Sequence, residues 1–382
     1  MLEKRGVQVF AFSRSNDDID ESSFFAKTTM AANTIWSRRS RSNLSKFLRQ
    51  VRPDVVHVHN TFAVLSPSVY GACKAQGVPV VQTLHNFRFF CPSALFLRKG
   101  KPCEECVDRS LLQSVKHRCY RGSFTATATV ASMLTLHRAI GTYSHLIDRY
   151  IALTNFARSK ILKGGIAEHK VVLKPNFVPD PPASGNGGGG YVAFVGRLLK
   201  SKGTETLVAA WRALPSVKLK IVGDGELRTQ LEATAREENL NIEFTGMQNP
   251  SAVLNIIANA EILIIPSEWY EAFPMVLAEA FACGTPVLAS RIGSLEELVE
   301  DNVTGKQFTA GDPKELAEGV RRMLADPVGL RRMRANARAY FDDHLTEQHN
   351  YTQLMGIYSD VIDEALSGVK RLRRESPTSP PG

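Results

Sequence analysis

The stretch EWYEAFPMVLAEA, residues 268–280, sets two carboxylates, Glu271 and Glu279, eight positions apart with Pro274 between them. One use for such a pair is acid and base chemistry. Another is hydroxyl recognition, because an ionised carboxylate accepts several of the donors that a polyol supplies. Pro274 fits the start of a helix, so a helix is expected through MVLAEAFACG, ended by Gly284. Glu271 then lies in the loop before the helix, next to Phe273, and Glu279 lies on its second turn. The free amides of Met275 and Val276 at that helix start suit phosphate or sugar oxygens. The ordinary alternatives are compensation of the helix dipole for Glu271, worth roughly 0.3 to 1 kcal/mol, and a solvated helix face for Glu279.

Upstream, YVAFVGRLLKSKG reads as a strand, then Gly196 at a turn, then Arg197 and Lys202 at the mouth of a helix. Glycine permits close backbone approach, an arginine offers a fork and a lysine a point charge, all suited to phosphate oxygens. The segment KIVGDGELR is another strand and tight turn. Leu227 and Arg228 stand where the third glycine of a dinucleotide fingerprint would fall, so hydride transfer is poorly supported.

Four of the six cysteines lie close in sequence: Cys91, then Cys103 and Cys106 in CEEC, then Cys119 in HRCY. Thiolates at such spacings can hold zinc, and a structural zinc is the candidate reading. The gap from Cys91 to Cys103 is wider than usual zinc-site spacings, so scattered reduced cysteines are the competing one. Cys73 and Cys283 fit core positions.

These residues need a frame. From Val51 to Ala289 short β-branched runs (DVVHVH, VPVVQTLH, RYIALT, KVVLKPN, YVAFVG, LKIVG, IEFTG, EILIIPS, PVLAS) alternate with helical windows. Continuous apolar strands separated by helices indicate an α/β fold of parallel sheets covered on both faces. PDPPASGNGGGG, residues 179–190, can neither continue a helix nor join a sheet and reads as an interdomain linker. The expected division is a first domain over 1–183, a glycine-rich linker at 184–190, a second domain over 191–345, a helical segment at 346–368 that packs back on the first domain, and a disordered tail at 369–382. Two doubly wound, Rossmann-like domains would face a cleft, where the carboxyl ends of both sheets can meet a two-part substrate.

Charge divides the same way. Residues up to Gly190 hold 26 Lys and Arg against 12 Asp and Glu, whereas the remainder holds 21 against 26. A basic first half suggests an anionic partner: a phosphorylated or lipid-linked acceptor, or an anionic membrane touched peripherally. WSRRSRSNLSKFLRQVR, from Trp36, is its most cationic stretch, with a solvated helix as the ordinary explanation. No nucleic-acid motif is recognisable. The longest uncharged run, SFTATATVASMLTL, is too short to span a bilayer, and MLEKRGVQVFAFS lacks the apolar core of a signal peptide. A cytoplasmic chain is expected, at most peripheral at the inner face of the membrane.

The order FVGRLLKSKG, IVGDGELR, IEFTGMQNPSAV, IIPSEWYEAFPMVLAEAFACGTPVLAS and GSLEELVEDNVTGKQF resembles the nucleotide-sugar-binding half of the GT-B retaining glycosyltransferases, family 4 (glycosyl transferases group 1). The resemblance implies transfer of a hexose-type sugar from a nucleoside diphosphate sugar to an acceptor, with no metal required for catalysis. By it, Arg197 and Lys202 would bind the donor diphosphate, Glu271 and the amides after Phe273 and Pro274 the transferred sugar, and Glu279 the ribose diol. Gly246 and Met247 would lie near the base. DVVHVHN and VPVVQTLHNFRFFCP resemble the family's acceptor domain, and His85 matches its active-site histidine. An imidazole there can orient or take an acceptor proton, while His57 and His59 are read as structural. Family members begin with a strand and a glycine-rich loop; this chain opens at the pattern that follows them, so the acceptor domain is expected to be incomplete. A non-catalytic nucleotide-sugar-binding module and a GT-B sugar-nucleotide 2-epimerase are the alternatives.

Overall fold

The computed structural model describes residues 1–15 and 24–375. Twelve strands occur among the described residues: β1 (Val56–Val58), β2 (Val80–Thr83), β3 (Leu97–Arg98), β4 (Lys101–Pro102), β5 (Arg149–Ala152), β6 (Val171–Leu173), β7 (Tyr191–Val195), β8 (Lys218–Val222), β9 (Ile242–Gly246), β10 (Leu263–Ile265), β11 (Val287–Ser290) and β12 (Gly305–Phe308). The first sheet has the order β1-β2-β5-β6 and the second β12-β11-β10-β7-β8-β9, both wholly parallel. Parallel strands must be joined by crossovers, and the intervening helices cover both faces. This is the α/β architecture of two Rossmann-like domains read from the alternating runs.

Two elements lie outside that reading. β12 (GKQF) carries too few apolar residues to announce itself, and it forms the outer edge of the second sheet beside β11. The β3–β4 hairpin belongs to a lobe inserted between β2 and β5, where Ala94, Phe96, Lys99 and Arg118 adopt positive φ angles.

The glycine-rich connection is held against the second domain. The amides of Gly185, Gly187 and Gly189 donate to the carbonyls of Cys283, Ala258 and Asn259, and the amide of Gly188 to Glu261. A Cβ on Gly185 would meet the Ala258 carbonyl oxygen at 2.1 Å, so the close approach itself demands glycine.

The helix Glu347–Glu375 returns to the first domain. Asn350 donates to the Pro175 carbonyl at 2.8 Å, the Tyr358 hydroxyl meets His57 Nδ1 at 2.7 Å, and Glu364 pairs with Arg149 at 2.5 Å. It continues beyond residue 368, so the expected disordered tail is helical as far as Glu375; residues 376–382 lie outside the described residues.

The cationic stretch forms the helix Arg38–Val51, capped by Ser37 accepting from the Ser40 amide, with Leu44 and Leu48 buried beneath its charged face. No helix among the described residues is long and apolar enough to cross a membrane. β1 is the edge of its sheet. Its residues line a cleft of about 1180 Å³, whose lining also includes the segment from Val7 to Arg14, which forms neither helix nor strand.

Candidate active site

At the second sheet, β7 ends at a turn set by two glycines. Gly223 has φ +134°, and a Cβ there would lie 2.0 Å from the Gly196 carbonyl oxygen; Gly203 has φ +68°, and a Cβ there would lie 1.8 Å from that of Pro266. Side chains at either position would push the β7 turn off its neighbours. With them absent, the short helix Lys200–Lys202 packs on the loop after β10: the Glu268 amide donates to Ser201, and Thr206 donates to the Glu268 carboxylate. That seam brings Lys202 to Glu271 across 69 positions of sequence.

Glu271 is only 7 % exposed, and one carboxylate oxygen, Oε1, accepts from Lys202 Nζ at 2.5 Å, Ser267 Oγ at 2.7 Å and Trp269 Nε1 at 3.1 Å. A buried carboxylate is tolerated when it is paired and hydrogen-bonded, and here three donors meet one oxygen. Ser294 Oγ fixes the backbone by donating to the Glu271 carbonyl at 2.7 Å. The lysine lies 5.5 Å from the Trp269 ring centroid, a cation–π arrangement.

The helix after this loop runs Met275–Ala282, with Pro274 in the position before its first turn. It ends as expected: Gly284 has φ +64°, and its amide reaches the Phe281 carbonyl. Phe273 and Pro274 are buried, Met275 is exposed and Val276 half-buried, so the helix start opens to solvent at its first residues. Glu279 is half-buried on the second turn, and burial raises its pKa above the usual carboxylate value. Gly246 closes β9, accepting from the Gly223 amide at 2.9 Å, with Arg228 beside it; Met247 is 79 % exposed just beyond. Arg197 is exposed. The predicted donor-side residues therefore share one edge of the second sheet.

His85 lies at the carboxyl edge of the first sheet, where His59 Nδ1 and His85 Nε2 are 2.9 Å apart with their rings stacked. His57 bonds Tyr358 and Thr83 through its two nitrogens. Burial, then the neighbouring His59 and Lys174, lowers His85 to about 4; burial and the same kind of neighbours lower His57 to about 3. At neutral pH the pair is uncharged, and a neutral imidazole can accept a proton. His59, read as structural from the sequence, is a direct partner of His85 instead.

The domains are joined close to Glu271. Thr154 Oγ1 donates to the Ala272 carbonyl, Phe156 meets Tyr270 edge to face, and both Glu297 carboxylate oxygens accept the amides of Asn155 and Phe156 at 2.8 and 2.7 Å. Glu297 thus caps a helix of the first domain from the second. No sequence signal marks that role, because the partners are more than 140 positions apart.

The zinc reading is corrected. Among the described residues, no group of three or more His, Cys, Asp or Glu side chains is placed to hold a metal ion. Cys91 meets Ser93 at 3.1 Å, Cys106 bonds Ser114 and Cys103 bonds Arg98, while the four thiols stay near enough to act on one another, Cys91 and Cys119 on Cys106 and Cys91 and Cys103 on Cys119. Burial pushes Cys106 up to about 12 and raises Cys119, so both remain thiols at neutral pH.

Comparison with known proteins identifies the family. The family profile of glycosyl transferases group 1 matches residues 182–340, and that of glycosyltransferase family 4 matches residues 1–180. Together they cover both domains, and the chain belongs to the GT-B glycosyltransferases of this family. It is 36 % identical over 143 residues to an uncharacterized glycosyltransferase of Methanocaldococcus jannaschii, covering 35 % of this chain and 36 % of that one. It is 35 % identical over 152 residues to a D-inositol 3-phosphate glycosyltransferase of Segniliparus rotundus, covering 37 % of this chain and 34 % of that one. The matched stretch thus spans about a third of the length of these two relatives. Among solved structures, Anabaena HepE in complex with UDP superposes with a TM-score of 0.66 at 18 % identity, over 84 % of this chain and 82 % of that one, a likeness of fold.

Proposed function

We propose that the protein transfers a hexose-type sugar from a nucleoside diphosphate sugar to an acceptor hydroxyl with retention of anomeric configuration, in polysaccharide or glycoconjugate biosynthesis. The observation that carries this reading is the Lys202–Glu271 pair seated before the Met275–Ala282 helix, with Glu279 on that helix's second turn. In this reading the exposed Arg197, Lys202 and the amides of Met275 and Val276 take up charge on the departing diphosphate. Glu271 Oε1 is held by three donors, which leaves Oε2 to accept from a sugar hydroxyl. Glu279, half-buried and without a cation partner among the described residues, accepts from the ribose diol. Gly246 and Met247 border the base. The attacking hydroxyl enters on the leaving-group face, and neutral His85 orients it or receives its proton.

The test is turnover with a panel of nucleoside diphosphate sugars, with the anomeric configuration of the product read by NMR. Glu271→Gln is expected to lower kcat/KM roughly a hundredfold, as loss of one transition-state contact does. Glu279→Gln should raise KM for the donor by roughly tenfold. Wild-type rates for both variants would remove the basis of the assignment. Donor binding with neither hydrolysis nor transfer would indicate a binding module, and an epimerised nucleotide sugar formed without acceptor would indicate the epimerase.

A further inference from the structure

The loop that carries Glu271 lies on the seam between the domains, and its side chains divide between them. Glu271 is held by Lys202, Ser267 and Trp269, and Phe273 joins a core built mainly from second-domain side chains. Tyr270 packs instead on the core of the first domain, and Ala272 touches both cores. Alternation of this kind marks an extended backbone, whose successive side chains leave on opposite sides. Glu271 is therefore flanked, at 270 and 272, by residues seated on the other domain.

Tyr270 is gripped from several sides. Its ring meets that of Phe156 edge to face, with centroids 4.7 Å apart. Lys160 Nζ lies 5.4 Å from the Tyr270 centroid and 4.8 Å from that of Phe156, so one ammonium serves both rings. The same ammonium pairs with Glu104 of the inserted lobe at 2.7 Å, Lys163 holds the other Glu104 oxygen at 2.8 Å, and the carboxylate faces the Tyr270 hydroxyl. Burial, then the charge on Glu104, raises the pKa of that hydroxyl, so it stays a phenol able to donate. From the second domain, Gly293 closes on the two rings: its φ is +58°, and a Cβ there would lie 3.0 Å from Tyr270 Cδ1 and 3.3 Å from Phe156 Cε1. Ser294, next in sequence, donates to the Glu271 carbonyl at 2.7 Å, and Thr154, at the start of the helix Asn155–Lys163, to that of Ala272 at 3.3 Å.

The donors on Glu271 Oε1 all come from the second domain, and they set the carboxylate head. The backbone beneath it is set from the first domain as well. We propose that Tyr270 is the positioning residue through which the first domain sets Glu271 against the transferred sugar, so that the donor site is complete only while the domains are seated on each other. The part given to Glu271 rests on the glycosyltransferase reading; the coupling of Tyr270 to the loop does not. A shift of about 1 Å in a group that orients a reacting substrate costs up to roughly a hundredfold in rate. Separation of the domains withdraws Phe156, Lys160 and Glu104 from Tyr270 and leaves Glu271 on a loop anchored from one side. A donor held in the open, watery cleft is then spared from hydrolysis, and turnover waits for closure.

The experiment reads the loop and the chemistry separately, on the full chain. With tryptophan indoles labelled by 15N, the Trp269 signal is assigned by its loss in Trp269→Phe; that indole donates to Glu271 Oε1, while the Trp211 indole, which donates to the Val217 carbonyl at 2.8 Å, is the control. In Tyr270→Leu the Trp269 indole proton should exchange with water roughly fivefold faster or more, with Trp211 unchanged. Tyr270→Phe keeps the ring contacts and should stay within about twofold of wild type in exchange and in rate. With the nucleoside diphosphate sugar of the panel that is turned over fastest, Tyr270→Leu should lower kcat/KM roughly tenfold or more, but by less than about twofold when Glu271→Gln is already present, because a residue that acts through another has no effect once that other is gone. Should Tyr270→Leu fail to fold, Phe156→Leu, which removes the facing ring and leaves the loop unaltered, is read in the same way. Unchanged exchange at Trp269, or equal losses of rate in the two backgrounds, would overturn the proposal. Faster exchange in a protein that turns over no donor, or whose Glu271→Gln variant keeps the wild-type rate, sustains the coupling of Tyr270 to the loop and removes the donor reading; unchanged exchange with a slowed Glu271→Gln does the reverse.

Discussion

Removing Lys202 should expose how far Glu271 depends on it, and a double-mutant cycle gives the size. In Lys202→Met the Glu271 carboxylate, 7 % exposed, keeps only the Ser267 hydroxyl and the Trp269 indole as donors. Stripping a buried ion of its partner costs about 3 to 5 kcal/mol; the lysine side chain retains 22 % of its accessible surface, so the low end, about 3 kcal/mol, applies. Glu271→Gln removes the charge but leaves an amide oxygen for the same two neutral donors, while Lys202 can turn to water. Its cost is about 1 kcal/mol, one charge-assisted bond exchanged for a weaker one. The double variant has no stranded ion and should cost about 2 kcal/mol, less than the sum of the singles by roughly 2 kcal/mol. Urea unfolding followed by tryptophan fluorescence measures all three, with Trp269 itself in contact with Glu271. Additive losses, agreeing within about 0.5 kcal/mol, would show that the carboxylate does not lean on the lysine and would refute the geometry built around it.

Three further outcomes are expected. Burial holds the folded pKa of Glu279 above its unfolded value, so its ionised form disfavours folding; stability from this group rises as pH falls through that folded pKa, and Glu279→Gln should raise the melting temperature at pH 7 with no gain near pH 4. His57 titrates at about 3 in the folded chain against 6.5 ordinarily, so its contribution is lost as pH falls from about 6.5 toward 3; circular dichroism across that range should show a shallower acid limb in His57→Leu, although that variant starts from lower stability for want of its bonds to Tyr358 and Thr83. Glu297→Ala frees the amides of Asn155 and Phe156 and should cost about 1 to 2 kcal/mol, the value of a helix cap, and small-angle scattering should detect a more open pair of domains; an unchanged scattering profile would mean that the other interdomain contacts suffice.

Of the nine strands legible in the sequence, β2, β5, β7, β10 and β11 are buried on both faces, and their apolar runs are continuous because the interior of a parallel sheet leaves neither face to water. β12 escaped notice because an edge strand can be polar, and the helix through Glu375 because its basic end resembles a solvated tail. Local chemistry also announced itself: Pro274 and Gly284 bracket the helix they were expected to bracket, since a proline start and a glycine end are demanded by the backbone alone.

What the sequence by itself determined was thus the class of fold and the chemical types gathered at each strand end. It could not say which of those groups meet. Lys202 and Glu271 are 69 positions apart, His59 and His85 are 26 apart, and Glu297 caps a helix on the other domain. The thiols whose spacing suggested a shared metal come near one another, yet among the described residues they form no group of three placed to hold one. Period and propensity act over a few residues and are written in order along the chain. Ion pairing and burial depend on distances that exist only once the two sheets have closed around their cores.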